Sequence, residues 1–313
     1  MDAPEWDSMF CVSPIALILP PPAVEPMPDI AAPETDRRPR DDEIEVYGLT
    51  HTGRVRSNNQ DHFLVSTVHR RIQVLQTSLT DPARLHESDE RIAILAMIAD
   101  GVGGLTGGEK ASATALEIAM QYVTSSLRVY DRSGSSDAEF VEHLQTAAMR
   151  CHDAVVERAQ REGEGKTMAT TLTLFLSVWP WYYLVQVGDS RYYLYREGVL
   201  TQLTRDQTLA QDLVDQGVFT RAIAARSQFS NVLSSAIGGE TPTPVVTRLR
   251  ADWRNVHLLC SDGLTKHVSD ERITERLAAM TSARDVCEQL LQDALDGGGS
   301  DNVTIIVGRA MPK

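Results

Sequence analysis

Residues 91–109 read RIAILAMIADGVGGLTGGE, and their interpretation decides the fold. The apolar run Ile92 to Ala99 ends on Asp100, and five glycines come within the next eight residues: Gly101, Gly103, Gly104, Gly107 and Gly108. An unbroken apolar run of this length, bounded by turn residues, reads as a strand buried on both faces. Asp-Gly alone is a common hairpin dipeptide, but a hairpin needs a second strand after the turn. The residues beyond the glycines are helical instead, with Ala111, Ala115, Ile118, Ala119, Tyr122 and Val123 recurring at helix spacing. The stretch is therefore strand, carboxylate, glycine loop, helix, a natural place to hold an ion or a phosphate.

Downstream, a second amphipathic helix spans about Asp137 to Arg161, with Phe140, Leu144, Ala147, Cys151 and Val155 as its buried stripe. Strands then dominate: Thr170 to Val178, a turn at Trp179-Pro180, Trp181 to Val187, and a hairpin of Tyr192–Tyr195 with Val199–Leu203. A helix at about Gln207 to Gly217 leads into Val218 to Asn231, which has no clean period and reads as a mobile segment. Val245–Leu249 and Val256–Cys260 read as strands, with helices after them at Asp270–Met280 and Ala283–Leu295. GGGSDNVTIIVG is a glycine loop entering a final strand. Upstream, Val46–Thr50 and a segment from His62 are strands, and residues 66–90 read as a polar insertion between two strands. Strands and helices come in runs without strict alternation, which points to antiparallel sheets with segregated helices, an α+β layering.

The 313-residue chain is long enough to bury a large core. Its net charge of −13 argues against sequence-independent binding to nucleic acid or an anionic membrane. Residues 1–43 hold nine of the fourteen prolines and many acids, and read as a disordered extension unable to offset its ordering entropy. The folded domain is expected over 44–310. The four cysteines, Cys11, Cys151, Cys260 and Cys287, show no metal-ligand spacing, which suits reduced thiols in a cytoplasmic protein. No basic leader segment and no apolar run of membrane-spanning length is present in the sequence.

Asp100 and Asp262 each end an apolar strand and precede a glycine, Asp189 comes after the strand ending at Val187, and Asp301 sits just before the final strand. If neighbouring strands run antiparallel, strand ends and strand starts meet at one edge, and four carboxylates converge there. Such a cluster repels itself unless cations bind. Hard divalent cations with oxygen ligands, Mg²⁺ or Mn²⁺, suit it better than zinc. Two such ions about 3.5–4 Å apart can share a water, lower its pKa and aim it at phosphorus. The phosphate then needs a planar cation, and Arg56, five residues before Asp61 in a loop, is the candidate.

Taken together, eight blocks resemble the metal-dependent Ser/Thr protein phosphatases of the PP2C (PPM) family, its bacterial branch in particular. They are GRVRSNNQD (53–61), MIADGVGGLTGGEKAS (97–112), MATTLT (168–173), VGDSRYYLYREG (187–198), LTRDQTLAQDLVDQG (203–217), NVLSSAIGG (231–239), LLCSDGLTKHVSD (258–270) and GGSDNVTIIV (298–307). They occur in the family's order and cover nearly all of 44–310. The resemblance implies a central antiparallel β-sandwich flanked by helix pairs, four layers in the order αββα, with the metals in a cleft at one end. It implies that Asp100 bridges two Mn²⁺ or Mg²⁺ ions, that the Gly101 carbonyl binds one of them, and that Asp262 and Asp301 complete the other. Asp189, with Asp262, would hold a third, weaker ion. Asp61 would order metal-bound water or reach a metal through water, and Arg56 would hold the substrate phosphate. Thr170 and Thr171 fit core strand positions better than catalytic ones.

The implied activity is hydrolysis of phospho-Ser and phospho-Thr by direct attack of a metal-bridging water. The implied partners are phosphorylated proteins, substrates of a Ser/Thr kinase; neither nucleic acid nor membrane is expected, and the chain would act as a monomer. Other readings are a metal-dependent phosphoesterase acting on a small molecule and a phosphate-sensing scaffold with a decayed site. The intact Arg56, Asp100, Asp189, Asp262 and Asp301 speak against the scaffold. Three departures stand out. Gln60 occupies the place of a frequent Glu. Val102 stands where eukaryotic members carry a His proposed as general acid, as apolar residues do in bacterial members. Gln207-Thr208 replaces His-Ser, which should alter a local contact and not the chemistry.

Overall fold

The computed structural model describes residues 37–72, 88–102, 107–133, 137–163 and 168–312. The expected extension up to residue 36, Gly103 and Gly104 of the glycine loop, and the middle of the expected insertion (73–87) lie outside the described residues.

In chain order the elements are β1 (Ile44–His51), β2 (Asp61–Ile72), β3 (Ser88–Val102), α1 (Gly107–Ser133), α2 (Asp137–Glu162), β4 (Ala169–Thr170), β5 (Leu172–Val178), β6 (Trp181–Val187), β7 (Arg191–Arg196) and β8 (Val199–Gln202). They continue with α3 (Leu209–Asp215), α4 (Arg221–Ala224), β9 (Val245–Arg250), β10 (Val256–Cys260), α5 (Asp262–Thr265), α6 (Asp270–Ala278), α7 (Ala283–Asp296) and β11 (Val303–Ala310). One sheet has the order β1-β11-β10-β7-β8 and the other β2-β3-β5-β6-β9, with β4 pairing β3, and every pairing is antiparallel.

The four layers arise from side-chain alternation along the central strands. On β3, Ala96 and Ile98 face the other sheet and pack with Phe175, Tyr182, Tyr192, Leu259 and Ile306. Their neighbours Leu95, Met97 and Ala99 face the opposite way, against Ala111, Ala115, Ala119 and Val123 of α1 and Phe140, Leu144, Cys151 and Val155 of α2. On the first sheet, Leu258, Cys260, Ile305 and Val307 pack against Ile273 and Leu277 of α6 and Val286, Cys287 and Leu290 of α7. A strand with two helix-covered or sheet-covered faces has no solvent face, which is why the 92–99 run is unbroken. Cys151, Cys260 and Cys287 are free and buried. None of the described helices is long and apolar enough to cross a membrane.

Several boundaries differ from the sequence expectation. The central strand runs past Asp100, because Gly101 and Val102 pair with Thr170 and Ala169. Part of the expected 66–90 insertion is strand: β2 and β3 pair as far as Ile72 and Ser88, with a register shift between Val68 and His69. Polar cross-strand partners hold this ribbon, including Arg70 with Glu90 at 2.6 Å and His69 with Asp89 at 2.8 Å. Apolar periodicity is absent there, so nothing in the pattern marked a strand. The segment after α3 contains α4, whose Thr220 cap accepts from the Ile223 amide at 3.3 Å, and then hydrogen-bonded turns.

The folded part also begins earlier than Ile44. Residues Arg37 to Glu43 pack on the domain: the Trp253 indole N–H donates to the Arg37 carbonyl at 3.0 Å, and Arg91 pairs with Asp41 at 2.7 Å. Glu43 is 1% exposed and accepts from Arg37 at 2.6 and 2.7 Å and from the Arg40 amide at 2.8 Å. A chain beginning at Ile44 leaves the Trp253 donor and the Arg91 guanidinium without these partners, each costing about 1–3 kcal/mol. Its melting temperature is expected to fall by roughly 5–10 °C relative to a chain beginning at Arg37, measured by scanning calorimetry.

Candidate metal centre

Antiparallel pairing brings the sequence-singled carboxylates to one edge. Asp61 opens β2 and is the cross-strand partner of Asp100, near the end of β3. Asp262 opens α5 directly after β10, Asp301 lies two residues before β11, and Asp189 comes just after β6. Asp61, Asp262, Asp189 and Asp301 all act electrostatically on Asp100.

The backbone at Asp100 is held on both sides. Its amide donates to Thr171 Oγ1 at 2.9 Å, and its carbonyl accepts from the Thr171 amide at 2.9 Å and from Thr170 Oγ1 at 2.8 Å. Thr170, which ends β4, and Thr171, between β4 and β5, are both buried, and they fix the angle at which Asp100 enters the cluster. The next residue is sterically obliged to be glycine, because a Cβ at Gly101 would lie 2.3 Å from the Gly108 carbonyl oxygen. Helix α1 can begin this close to β3 only because both contact points lack side chains. A Cβ on Gly263, after Asp262, would similarly stand 1.9 Å from the Asn302 carbonyl oxygen.

Asp61 is 3% exposed. Its Oδ2 accepts from Ser261 Oγ at 2.8 Å and Thr304 Oγ1 at 2.7 Å, while Oδ1 is buried with no donor from the chain. Asp262 Oδ1 is likewise buried with no donor. The loop carrying Arg56 is clamped by Asn302, whose Nδ2 donates to the Thr52 and Asn58 carbonyls at 2.8 and 2.9 Å while its Oδ1 accepts from the Gln60 amide at 2.9 Å. Gln207 holds the Asp189 turn by accepting from the Gly188 amide at 2.8 Å, and Thr208 caps α3 by accepting from the Gln211 amide at 3.2 Å.

Burial and mutual repulsion push the carboxyls up. Burial is the largest influence on Asp61, raised to about 6, and on Asp189, raised to about 7 with Asp262 and Asp206 adding to it. Asp100 is pushed well above the carboxylate range by burial first and by its four acidic neighbours next. Asp262 is raised by burial even though Lys266 opposes it. Asp301 goes the other way: burial would raise it, but Lys266 and Arg56 together hold it below its ordinary value. Arg56 forks onto Asp301, Nε to Oδ1 at 2.8 Å and Nη2 to Oδ2 at 2.9 Å. Lys266 bridges Asp262 Oδ2 at 2.6 Å and Asp301 Oδ2 at 2.8 Å.

Among the described residues no three His, Cys, Asp or Glu side chains already stand as a ligand group. The chain's own cations, Lys266 and Arg56, pair with Asp262 and Asp301. The donor set nevertheless fits a hard divalent cation: it is all oxygen, it includes two orphaned buried carboxylate oxygens, and burial with mutual repulsion raises Asp61, Asp100, Asp189 and Asp262, the repulsion being what a cation would cancel. Sequence reading missed Lys266, Ser261, Thr304 and Asn302. Of these, only Lys266, four residues after Asp262, carried a local signal, the i,i+4 spacing of an acid–base pair.

These shifts set the sign of the pH dependence without added metal. A carboxyl whose folded pKa is raised favours folding most while protonated, below its unfolded pKa near 4, and that stability is lost as pH climbs through the folded value. With Asp61 at about 6 and Asp189 at about 7, the melting temperature in chelator is expected to fall by several degrees between pH 5 and 7.5, and Mn²⁺ should abolish the slope. Calorimetry across that window checks it.

The family model for protein phosphatase 2C matches residues 76–297. The serine/threonine protein phosphatase PstP of Mycobacterium tuberculosis is 36% identical over 215 residues, 69% of this chain. The match spans only 40% of that relative's length. A crystal structure of the M. tuberculosis PstP/Ppp superposes with a TM-score of 0.68 at 31% identity, covering 86% of this chain and 99% of that one. A second, the catalytic domain of PstP in complex with two manganese ions, gives 0.64 at 31% identity over 86% of this chain and 99% of that chain.

Proposed function

Since the chain belongs to the protein phosphatase 2C family, we propose that it is a metal-dependent phosphoprotein phosphatase hydrolysing phospho-Ser and phospho-Thr. The observation that carries this reading is the cluster of Asp61, Asp100, Asp189, Asp262 and Asp301 with two buried carboxylate oxygens lacking any donor. The two manganese ions of the similar PstP structure support Mn²⁺ or Mg²⁺ as the cation.

In this reading Asp100 and the Gly101 carbonyl, with Asp262 and Asp301, would hold two ions, and Asp189 with Asp262 would hold a weaker third. Bound there, the cations would supply an activated water and neutralise the phosphate charge. The chain's own residues do the rest. Thr170 and Thr171 fix the Asp100 backbone, so its carboxylate enters the site at a set angle. Ser261 and Thr304 tie down one oxygen of Asp61 and leave Oδ1 to accept a hydrogen bond from the attacking water. Arg56, 55% exposed, is long enough and open enough to turn its fork onto two phosphate oxygens. Val102, 42% exposed, offers no proton to a leaving group.

The partners in this reading are proteins phosphorylated by a Ser/Thr kinase, and the chain acts as a monomer. Free buried thiols at Cys151, Cys260 and Cys287 support a reducing, cytoplasmic setting. The test is hydrolysis of a panel of phosphopeptides with and without Mn²⁺. Turnover is expected only with the ion and to vanish on chelation; activity that survives exhaustive chelation overturns the reading.

A further inference from the structure

Lys266 lies at the C-terminal end of the single turn α5, where its amide donates to the Asp262 carbonyl at 2.9 Å. That i,i+4 geometry returns the side chain over Asp262, with Nζ 2.6 Å from Oδ2. The same ammonium reaches Asp301 Oδ2 at 2.8 Å, although Asp301 is distant in sequence and belongs to the approach to β11. Its side chain is 27% exposed, against 55% for Arg56, so this is a sheltered pairing. Arg56 touches only Asp301 within the cluster; Lys266 spans two of the carboxylates.

We propose that Lys266 is a tethered cation that stands in for a divalent ion between Asp262 and Asp301 and competes with it for those two carboxylates. The inference rests on the metal-dependent reading above. A divalent ion takes carboxylate oxygens at about 2.0–2.2 Å, and an ammonium takes them at about 2.7–2.9 Å. A divalent ion drawing on the same two carboxylates would lie within a few ångströms of the ammonium, and like charges so close repel. Binding at this half of the site therefore works against the ammonium's pairing with both carboxylates. The consequences have opposite signs: Lys266 steadies the acidic edge when metal is absent, and it weakens the affinity of the Asp262–Asp301 half for metal.

The experiment compares the full chain with Lys266→Met and Lys266→Arg. Methionine keeps most of the aliphatic stem without charge; arginine keeps the charge. Mn²⁺ binding is monitored by isothermal titration and by the electron paramagnetic resonance signal of free Mn²⁺, and melting temperature is measured in chelator. Lys266→Met is expected to bind its weaker Mn²⁺ roughly 10- to 100-fold more tightly than the parent chain and to melt several degrees lower in chelator. Lys266→Arg should stay within about threefold of the parent in affinity, since a cation remains. General structural damage cannot lower stability and tighten metal binding together. Equal or weaker Mn²⁺ binding by Lys266→Met overturns the proposal while leaving the metal-dependent reading intact. Failure of the parent chain itself to bind Mn²⁺ overturns both.

Discussion

Replacing Asp100 with asparagine is expected to lower turnover on a phosphopeptide by roughly 10³-fold or more at saturating Mn²⁺, while the protein in chelator melts at an equal or higher temperature. The backbone at this position stays put, because Thr170 and Thr171 bind its amide and carbonyl and make no use of its carboxylate. The carboxyl itself is buried among Asp61, Asp262, Asp189 and Asp301, and burial with that repulsion pushes it well above the carboxylate range. Asparagine has the same shape and no charge, so it relieves the repulsion. What it removes is the negative charge that two cations would share in the proposed reading, together with one of two strong acceptor oxygens. Stabilisation of that kind is worth several kcal/mol in a two-metal site, and each step of about 1.36 kcal/mol is tenfold in rate. Steady-state kinetics and calorimetry on one preparation decide it. Near-normal turnover would show that Asp100 does not bridge, and a lowered melting temperature in chelator would show that the loss came from unfolding.

The second large effect is expected at Arg56, and it separates substrate binding from the rest of the site. Arg54 and Arg56 are both 55% exposed, so exposure does not distinguish them. Their surroundings do: Arg54 pairs with Asp296 on α7 at 3.1 Å, whereas Arg56 forks onto Asp301 and lies in the field of Asp100 and Asp262. A guanidinium placed at the cluster can exchange a carboxylate for a phosphate once Asp301 serves a cation. Loss of a bidentate, charge-assisted pair costs on the order of 2–4 kcal/mol, or roughly 30- to 1000-fold in kcat/KM for Arg56→Ala. Part should appear in KM, and more in kcat if the pair tightens as charge moves toward the leaving oxygen. Arg56→Lys should recover only part, because an ammonium cannot fork. Arg54→Ala should stay within about threefold of the parent chain. Small, equal effects at both arginines would make Arg56 a solvated loop residue with a structural salt bridge.

How far the residues alone carried these conclusions depends on the range of the interactions involved. The run Ile92–Ala99, the stripe Phe140–Val155 and the alternation from Leu172 to Val187 are local patterns repeated over many residues. Each had one face, or two, that could only be satisfied by burial. The run of strands and helices, the α+β layering and the placing of Asp100, Asp262 and Asp301 close to where strands start or finish were legible for that reason. The polar ribbon at the far end of β2 and β3 was not, because its strands pair through the backbone ladder and carry polar side chains such as Arg70 and Glu90 in place of an apolar alternation. Nor was the packing of Arg37 to Glu43, whose burial depends on Trp253 and Arg91 far along the chain.

The sequence by itself determined which residue types could do chemistry here and roughly where each would sit in its own element. Only the tertiary structure decided which atoms they face. Asp61 meets Asp100 through strand register, and Asp61 is tied by Thr304 of the other sheet and by Ser261, just past its strand β10. Lys266, at the end of α5, and Arg56, in the loop before β2, converge on Asp301. Charges in contact within a sheltered edge act over a few ångströms, and no spacing along the chain encodes a distance between residues brought together from opposite ends of it.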